Sequence, residues 1–229
     1  MMKIYDREGL PNPARIRIVL AEKKLEDQVT FVSVDLIAAE HKQPAFLKLN
    51  PAGKIPVLEL DDGLLISEST AITEYLDNLD GNPTLTGRTP REKAVIHMMQ
   101  RRAEQEVLEA VDGYFHYATK GLGDALIPYT APEWEGRGEW GRRQGAKALR
   151  GMALFDDVLA GQPFLAGEHF SMADITLFAG LDFAEAAGLP IDAQLTALHA
   201  WRKTVSDLPS VRNRSGQSFL PEDLKRLGF

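Results

Sequence analysis

The stretch that decides the fold runs from Leu49 to Tyr75 and reads LNPAGKIPVLELDDGLLISESTAITEY. Residues 50–53 (Asn-Pro-Ala-Gly) favour a turn, since Asn, Pro and Gly each suit non-helical backbone. The apolar runs 57–60 and 64–66 are separated by Asp-Asp-Gly, which is typical of a β-hairpin. Residues 67–70 (Ser-Glu-Ser-Thr) then precede apolar residues at helical spacing, and Ser and Thr are good helix N-caps. The stretch therefore predicts a turn, a hairpin and a helix, in that order.

Pro56 stands where the first strand of the hairpin begins, directly after Ile55. Proline cannot donate to a sheet ladder, but it is tolerated at a strand start. Only about 5–6% of X-Pro bonds in folded proteins are cis. A cis Ile55–Pro56 bond would turn the backbone of Ile55 outward and leave its amide and carbonyl available to an extended peptide ligand.

The composition limits the classes of protein to which this chain can belong. The chain of 229 residues has 44% apolar and 26% charged residues, which is ordinary for one large or two small globular domains. A net charge of −7 argues against a nucleic-acid partner, because nucleic acids bind to basic protein surfaces. No apolar run approaches the roughly 20 residues that span a bilayer, and residues 1–6 lack the features of a signal peptide. We therefore expect a cytoplasmic protein without a membrane partner.

The chain contains no cysteine. A disulfide, a cysteine metal site and a protein thiolate nucleophile are therefore excluded, and any sulfur chemistry must use a thiol brought by a ligand. No pair among the five histidines has metal-ligand spacing with a supporting carboxylate, so we predict no metal site.

The rest of the chain divides into an α/β part and an all-α part. The first part predicts the order βαβαββα, with strands at 3–6 and 29–34 and helices at 13–24 and 44–49 ahead of the decisive stretch. Its first βαβ unit calls for parallel pairing with a right-handed crossover, which is the thioredoxin-like order. We assign residues 1–80 to this domain, 81–89 to a Gly-, Pro- and Thr-rich linker and 90–229 to an all-helical domain. In the latter we expect helices at 90–119, 139–159, from 171 and at 193–207, a loop at 120–138 and a tail at 217–229.

Two motifs identify a family. The run Asn50-Pro-Ala-Gly-Lys-Ile-Pro-Val-Leu, followed by Glu68-Ser69-x-Ala71-Ile72, resembles the glutathione-binding segment of the glutathione transferases, which carries a cis-proline before the third strand. Residues 171–174 (Ser-Met-Ala-Asp) have capping-box spacing and resemble the folding signature of the family's helical domain. Residues 13–18, 96–104 and 114–116 are most similar to the fungal "transferase two" class and its bacterial relatives. The resemblance covers nearly the whole chain and implies a homodimeric enzyme that conjugates glutathione to small hydrophobic electrophiles.

The resemblance also implies roles for single residues. Ser69, at a helix start, suits the γ-glutamyl carboxylate, because helix N-termini bind anions, and Glu68 suits the γ-glutamyl amine. Ile55, before Pro56, can exchange backbone hydrogen bonds with the cysteinyl unit. The candidates for the glycyl carboxylate are His41, Lys42 and Lys54. The plainer alternatives are that residues 67–69 only cap a helix and that the two lysines are solvated surface charges.

Activation of the thiol is the point where this chain departs from the family pattern. A free thiol has a pKa near 8.5, so roughly 3% is ionised at pH 7. Most of the family places a Ser, Tyr or Cys before the first helix, but the spacing puts Leu10 there, and Leu cannot donate. Three substitutes are available: the side-chain amide of Asn12, the backbone amides of the first helix, or a water held by His116. For His116 the alternative is a helix-end histidine favoured by the dipole; Tyr5 and Tyr117 are weaker candidates.

The electrophile is expected to bind against the helical domain, near aromatic residues at helical spacing: Tyr114, Phe115, Tyr117, Trp134 and Trp140. The same spacing is typical of a core, and the loop 120–138 is either a substrate lid or a passive surface loop. Two other functions stay open. One is a glutathione-dependent disulfide or peroxide reductase, and the other is a non-catalytic glutathione-binding or interaction protein.

Overall fold

The computed structural model describes residues 1–129 and 136–227, and these form two compact units. The first unit consists of Met1–Leu76 together with the described residues of segments 122–135 and 214–229. The second consists of Asp77–Gly121 and Gly136–Asn213. The boundaries at residues 80 and 90 stay a prediction.

The first unit is built on a four-stranded mixed sheet with the strand order β2-β1-β3-β4. Strand β1 (Met2–Asp6) pairs in parallel with β2 (Val29–Ser33) and antiparallel with β3 (Val57–Glu59), and β3 pairs antiparallel with β4 (Leu65–Ser67). The predicted thioredoxin-like order is confirmed. Tyr5 lies opposite Val57, and Val57 lies opposite Ser67, so the end of β1, the start of β3 and the end of β4 meet at one edge of the sheet.

Three helices flank this sheet in chain order: α1 (Pro11–Lys23), α2 (Pro44–Leu47) and α3 (Ser69–Asn78). Helix α1 opens with proline at its first position, where the missing N–H costs nothing, and it buries Ile16, Val19 and Leu20. It also buries Arg15 and Arg17, although charged residues usually lie on the exposed face of a helix. Arg17 is paired with Asp6 at 2.8 Å, which is the usual condition for a buried arginine.

The connection after α3 is ordered by one carboxylate. Asp77 is fully buried and accepts hydrogen bonds from the amides of Thr84 (3.0 Å), Leu85 (3.0 Å) and Thr86 (2.8 Å). A segment rich in turn residues is thereby held in one conformation, because its buried amides find their acceptors on the preceding helix.

The second unit is all-helical in its described part. Its helices are α4 (Pro90–Ala103), α5 (Glu109–Ala118), α6 (Gly138–Leu159), α7 (Met172–Ala186), α8 (Thr196–Ser206) and α9 (Pro209–Arg212). The continuous helix expected at 90–119 is interrupted by a π-helical turn at Glu104–Leu108. The backbone of this turn lies directly against Gly151, where a Cβ would collide with the Glu106 carbonyl. The capping box of Ser171 and Asp174 at the start of α7 is confirmed.

Two segments expected to be irregular contain helix. The loop after α5 includes a 3-10 helix at Asp124–Tyr129. The expected tail contains a seven-residue helix, α10 (Pro221–Leu227), so the prediction of an irregular tail is wrong there. Among the described residues, no helix is both long enough and apolar enough to cross a membrane.

Candidate functional site

The edge of the sheet where β3 begins carries an open stretch of backbone. The Ile55–Pro56 bond is cis, as the resemblance to the family implies. Within residues 1–129 and 136–227, neither the amide nor the carbonyl of Ile55 has a hydrogen-bond partner. The turn before it is fixed by Asn50, which is buried, donates to the Lys54 carbonyl at 2.8 Å and accepts from the Ala52 amide at 3.1 Å. Ile55 can therefore exchange two backbone hydrogen bonds with an extended peptide.

The start of α3 lies at the same edge. If the β3–β4 register is continued by two residues, Ile55 lies opposite Ser69. Ser69 is buried at 6% exposure, and its hydroxyl has no hydrogen-bond partner in the described part of the chain. The first helical hydrogen bond runs from the Ile72 amide to the Glu68 carbonyl at 3.0 Å, so the preceding amides have no acceptor within the helix. This helix start can bind a carboxylate.

Glu68 has an unusual backbone conformation. Its φ is +70°, in the left-handed region that non-glycine residues rarely adopt, and its side chain is exposed. Such conformations cost on the order of 1–3 kcal/mol and concentrate at binding and catalytic sites. The turn at Glu68 places an exposed carboxylate directly beside Ser69, where it can bind the amine of a ligand whose carboxylate lies on the helix start.

Two ammonium groups lie near the turn before Pro56. Lys42 donates to the Gly53 carbonyl at 2.8 Å. Its pKa is lowered, first by burial and then by the charge of Lys54. Both effects disfavour the charged form of Lys42, and a bound anion would relieve them. His41, the third candidate for the glycyl carboxylate, is buried at 6% exposure, so the lysines are better placed to meet a ligand from solvent.

We expect Lys42→Met and Lys54→Met each to weaken glutathione binding about fivefold at low ionic strength, because each removes one charge from a partly exposed anion site. The loss should shrink in high salt, which screens exposed charges. Isothermal titration calorimetry at two salt concentrations measures both effects. Lys48→Met is the control, since Lys48 is exposed. An equal loss in all three variants would indicate only an effect of net charge.

Among residues 11–14 at the start of α1, Asn12 has a backbone amide without an acceptor in the described part of the chain. Pro11 and Pro13 have no N–H, and the Ala14 amide is already bonded to the Leu10 carbonyl at 3.0 Å. Asn12 therefore supplies the backbone amide of the first turn, and its side chain adds a second donor. The side-chain oxygen Oδ1 accepts from Arg15 Nη1 at 3.0 Å, which leaves Nδ2 available. Of the first-turn amides at residues 11–14, that of Asn12 can therefore stabilise an anion.

Leu10 takes no part in hydrogen bonding through its side chain. It lines a small crevice within the first unit, together with Leu36, Ile37 and Phe219. The position where most of the family places a hydroxyl is thus an apolar wall. Tyr5 does not replace that hydroxyl, because its O–H donates to Glu59 and this bond, with burial, raises the pKa of Tyr5 to about 12.

The second unit holds the other candidate residues. His116 lies in the last turn of α5, with Nε2 at 3.4 Å from Asp112 Oδ1. The aromatic side chains near it pair edge to face: Phe115 with Phe183 at 5.2 Å and Tyr117 with Trp140 at 5.0 Å.

Tyr114 packs against Gly145 of α6. Trp134 lies outside the described residues. No group of three His, Asp or Glu side chains in the described part of the chain is arranged to hold a metal ion.

Arg15 and Asn50 are the residues of this site that the sequence analysis missed. Asn50 was read only as a turn former, although its side chain builds the turn. Residues three positions apart are neighbours on a helix, so the spacing of Asn12 and Arg15 could have predicted their contact.

Comparisons with known proteins agree with this geometry. Residues 11–79 match the model of the glutathione S-transferase N-terminal domain, and residues 138–204 match that of the C-terminal domain. The chain is 54% identical to glutathione S-transferase 2 of Saccharomyces cerevisiae, over 92% of this chain and 88% of that protein. It is similar to the crystal structure of Gtt2 from the same yeast (TM-score 0.88, 54% identity, 92% and 99% of the two chains). It is also similar to a glutathione S-transferase domain-containing protein of Marinobacter aquaeolei (TM-score 0.85, 49%, 91% and 99%). The chain belongs to the glutathione S-transferase family.

Proposed function

We propose that this protein binds glutathione along the edge formed by Ile55 and Ser69 and conjugates its thiolate to small hydrophobic electrophiles. One observation carries the proposal: in the described part of the chain, the amide and carbonyl of Ile55 have no hydrogen-bond partner, and they lie two residues before the Val57–Ser67 strand pair, while the start of α3 at Ser69 lies two residues after it. Glutathione is a γ-Glu-Cys-Gly tripeptide, and this arrangement offers a strand partner to its cysteinyl unit and an anion site to its γ-glutamyl carboxylate.

The two ends of the tripeptide then have separate partners. The γ-glutamyl carboxylate takes the Ser69 amide and hydroxyl, and the γ-glutamyl amine takes the exposed carboxylate of Glu68. The glycyl carboxylate lies toward Lys42 and Lys54, for which residues 1–129 and 136–227 supply no carboxylate partner. This orientation directs the cysteinyl sulfur to the end of β1, since Tyr5 lies opposite Val57 and the start of α1 follows from there.

The chemical step is attack by the thiolate. The sulfur lone pair forms a bond to the electrophilic carbon, and in a substitution the leaving group departs with its bonding electrons. Lowering the thiol pKa by two units requires about 2.7 kcal/mol of differential stabilisation. The backbone amide and Nδ2 of Asn12 are the donors that we assign to this task, and a water held by His116 is the other candidate.

The first test is turnover. We expect the wild type to conjugate glutathione to a chromogenic aryl halide and to lower the pKa of the bound thiol, measured by the ultraviolet absorbance of the thiolate. Turnover of a small disulfide with little conjugation would favour a glutathione-dependent reductase instead. Glutathione affinity with neither reaction would favour a non-catalytic binding protein.

The second test places the site. Ser69→Ala is expected to weaken glutathione binding about tenfold or more, because it removes a hydrogen bond to a charged group. Ser67→Ala is the matched control, since Ser67 lies two residues earlier in β4 and not at the helix start. Equal binding by the two variants would show that the γ-glutamyl carboxylate lies elsewhere.

We also propose that the enzyme is a cytoplasmic homodimer, and a light-scattering mass of one chain would contradict the dimer.

A further inference from the structure

Arg15 is a buried cation with no role in the proposed function so far. Its side chain is 3% exposed, and arginine is seldom so buried unless it is bound to defined partners. Nη1 donates to Asn12 Oδ1 at 3.0 Å, and Nη2 donates to Thr70 Oγ1 at 3.3 Å. One guanidinium therefore connects the first turn of α1 with the first turn of α3.

The bond to Asn12 decides which end of the amide faces the ligand. A guanidinium has only donors, so it selects the oxygen of the amide and repels the NH₂ group. With Oδ1 held by Arg15, Nδ2 stays a donor for another acceptor. Without Arg15 the amide can turn over and present its oxygen, which would repel a thiolate.

The bond to Thr70 fixes the second half of the site. Thr70 directly follows Ser69 in the first turn of α3. Arg15 thus ties the residues assigned to the γ-glutamyl carboxylate to the residue assigned to the sulfur. Its planar fork can bond both partners at once, which the single ammonium of a lysine cannot do in the same geometry.

We propose that Arg15 is a positioning residue for thiolate formation: it orients the Asn12 amide with Nδ2 toward the sulfur and holds the starts of α1 and α3 in register. The proposal rests on the proposed function, because it needs glutathione at this edge. Arg15 acts through Asn12 and Thr70 and is not itself a partner of the substrate.

The test measures the pKa of the enzyme-bound glutathione thiol, together with kcat and KM, for Arg15→Gln and Arg15→Lys. We expect Arg15→Gln to raise the bound-thiol pKa by about one unit and to lower kcat about tenfold below that pKa, because the thiolate fraction falls in proportion. KM for glutathione should change less than kcat. Arg15→Lys keeps the charge and one bond, so we expect its bound-thiol pKa and its kcat to lie between those of the wild type and those of Arg15→Gln.

Three comparisons separate positioning from a merely structural role. In an Asn12→Ala background, Arg15→Gln should shift the bound-thiol pKa no further than Thr70→Val does, since the amide that Arg15 orients is gone. Thr70→Val, which removes one partner only, should give a smaller shift than Arg15→Gln. Arg17→Lys is the control on the same helix, because Arg17 is as buried but bonds Asp6. It should lower the melting temperature and leave the bound-thiol pKa unchanged.

Arg15→Gln with an unchanged bound-thiol pKa overturns the inference, and so does a full additional shift in the Asn12→Ala background. If Arg15→Gln does not fold, Arg15→Lys and Thr70→Val decide by the same measurement. These outcomes differ from failure of the proposed function, in which the wild type itself neither conjugates glutathione nor loses affinity through Ser69→Ala.

Discussion

Replacing Asp223 with alanine is expected to weaken the attachment of helix α10 to the rest of the first unit by about 3–5 kcal/mol, because the buried guanidinium of Arg7 loses its two hydrogen bonds to a carboxylate. Arg7 and Asp223 form a two-bond ion pair, with Nε to Oδ2 at 2.7 Å and Nη2 to Oδ1 at 2.6 Å. Their side chains are 9% and 4% exposed. Arg226 adds an ion pair to Asp35 at 2.6 Å, but it is partly exposed and contributes less.

The release can be local, since α10 is short and its detachment costs less than unfolding the whole unit. We therefore expect hydrogen exchange and limited proteolysis of residues 214–227 to rise in Asp223→Ala before global unfolding changes. Glu222→Ala is the control, because Glu222 is 3.8 Å from Arg7 but 60% exposed. It should change stability by at most about 0.5 kcal/mol. If α10 is as protected from hydrogen exchange in Asp223→Ala as it is in the wild type, apolar contacts alone hold the tail.

The tail also shows why part of the fold escaped prediction. Residues 221–227 carry the expected end signals: proline at the first position, acids in the first turn and bases in the last. Seven residues are too few for an apolar period to emerge, and an isolated helix of this length is unstable in water. What stabilises it is Arg7, which lies 216 positions earlier in the chain. No local pattern reveals a partner at that distance.

The decisive stretch was predictable for the opposite reason. The Asp-Asp-Gly turn, the alternation around it and the Ser-rich helix start all act between residues close in sequence, so residues 49–75 indicate their own structure. The fold order and the candidate binding edge follow from it. Arg15 was missed because periodicity assigns charged residues to the surface, whereas its burial depends on Asn12 and on Thr70, 55 residues away.

Asp174 is the residue for which we expect the largest single loss of stability in the second unit. Its carboxylate is fully buried and accepts from four donors: the Leu165 amide (2.9 Å), the Ser171 amide (3.0 Å), the Ser171 hydroxyl (2.9 Å) and Trp201 Nε1 (3.0 Å). It joins the turn before α7, the start of α7 and helix α8. Asp174→Ala leaves these buried donors unpaired, at about 1–3 kcal/mol each where no water replaces the carboxylate. We expect a total loss of about 4 kcal/mol.

Asp174→Asn separates the hydrogen bonds from the charge. Its oxygen can still accept from Leu165 and Trp201, and its NH₂ can donate to the Ser171 hydroxyl, so the Ser171 amide is the donor that loses its acceptor. The expected loss is about half of that in Asp174→Ala. Urea denaturation of both variants measures the difference, and Glu168→Ala, at an exposed position of the same turn, should stay within about 0.5 kcal/mol of the wild type. Equal losses in the Asn and Ala variants would mean that the charge, and not the bonding pattern, matters.

The pH dependence gives an independent check on the same carboxyl group. Burial raises the pKa of Asp174 to about 6, although its hydrogen bonds lower it. In the unfolded chain the pKa is 3.8. The folded state therefore binds a proton more tightly than the unfolded state, and this contribution to stability is complete below pH 4 and is lost as the pH rises through 6. Asp174→Asn has no such titration. The stability advantage of the wild type over Asp174→Asn should thus be largest near pH 4 and decline, by up to about 3 kcal/mol, toward pH 7. An advantage that grows with pH would mean that the four donors outweigh burial and hold the carboxylate ionised.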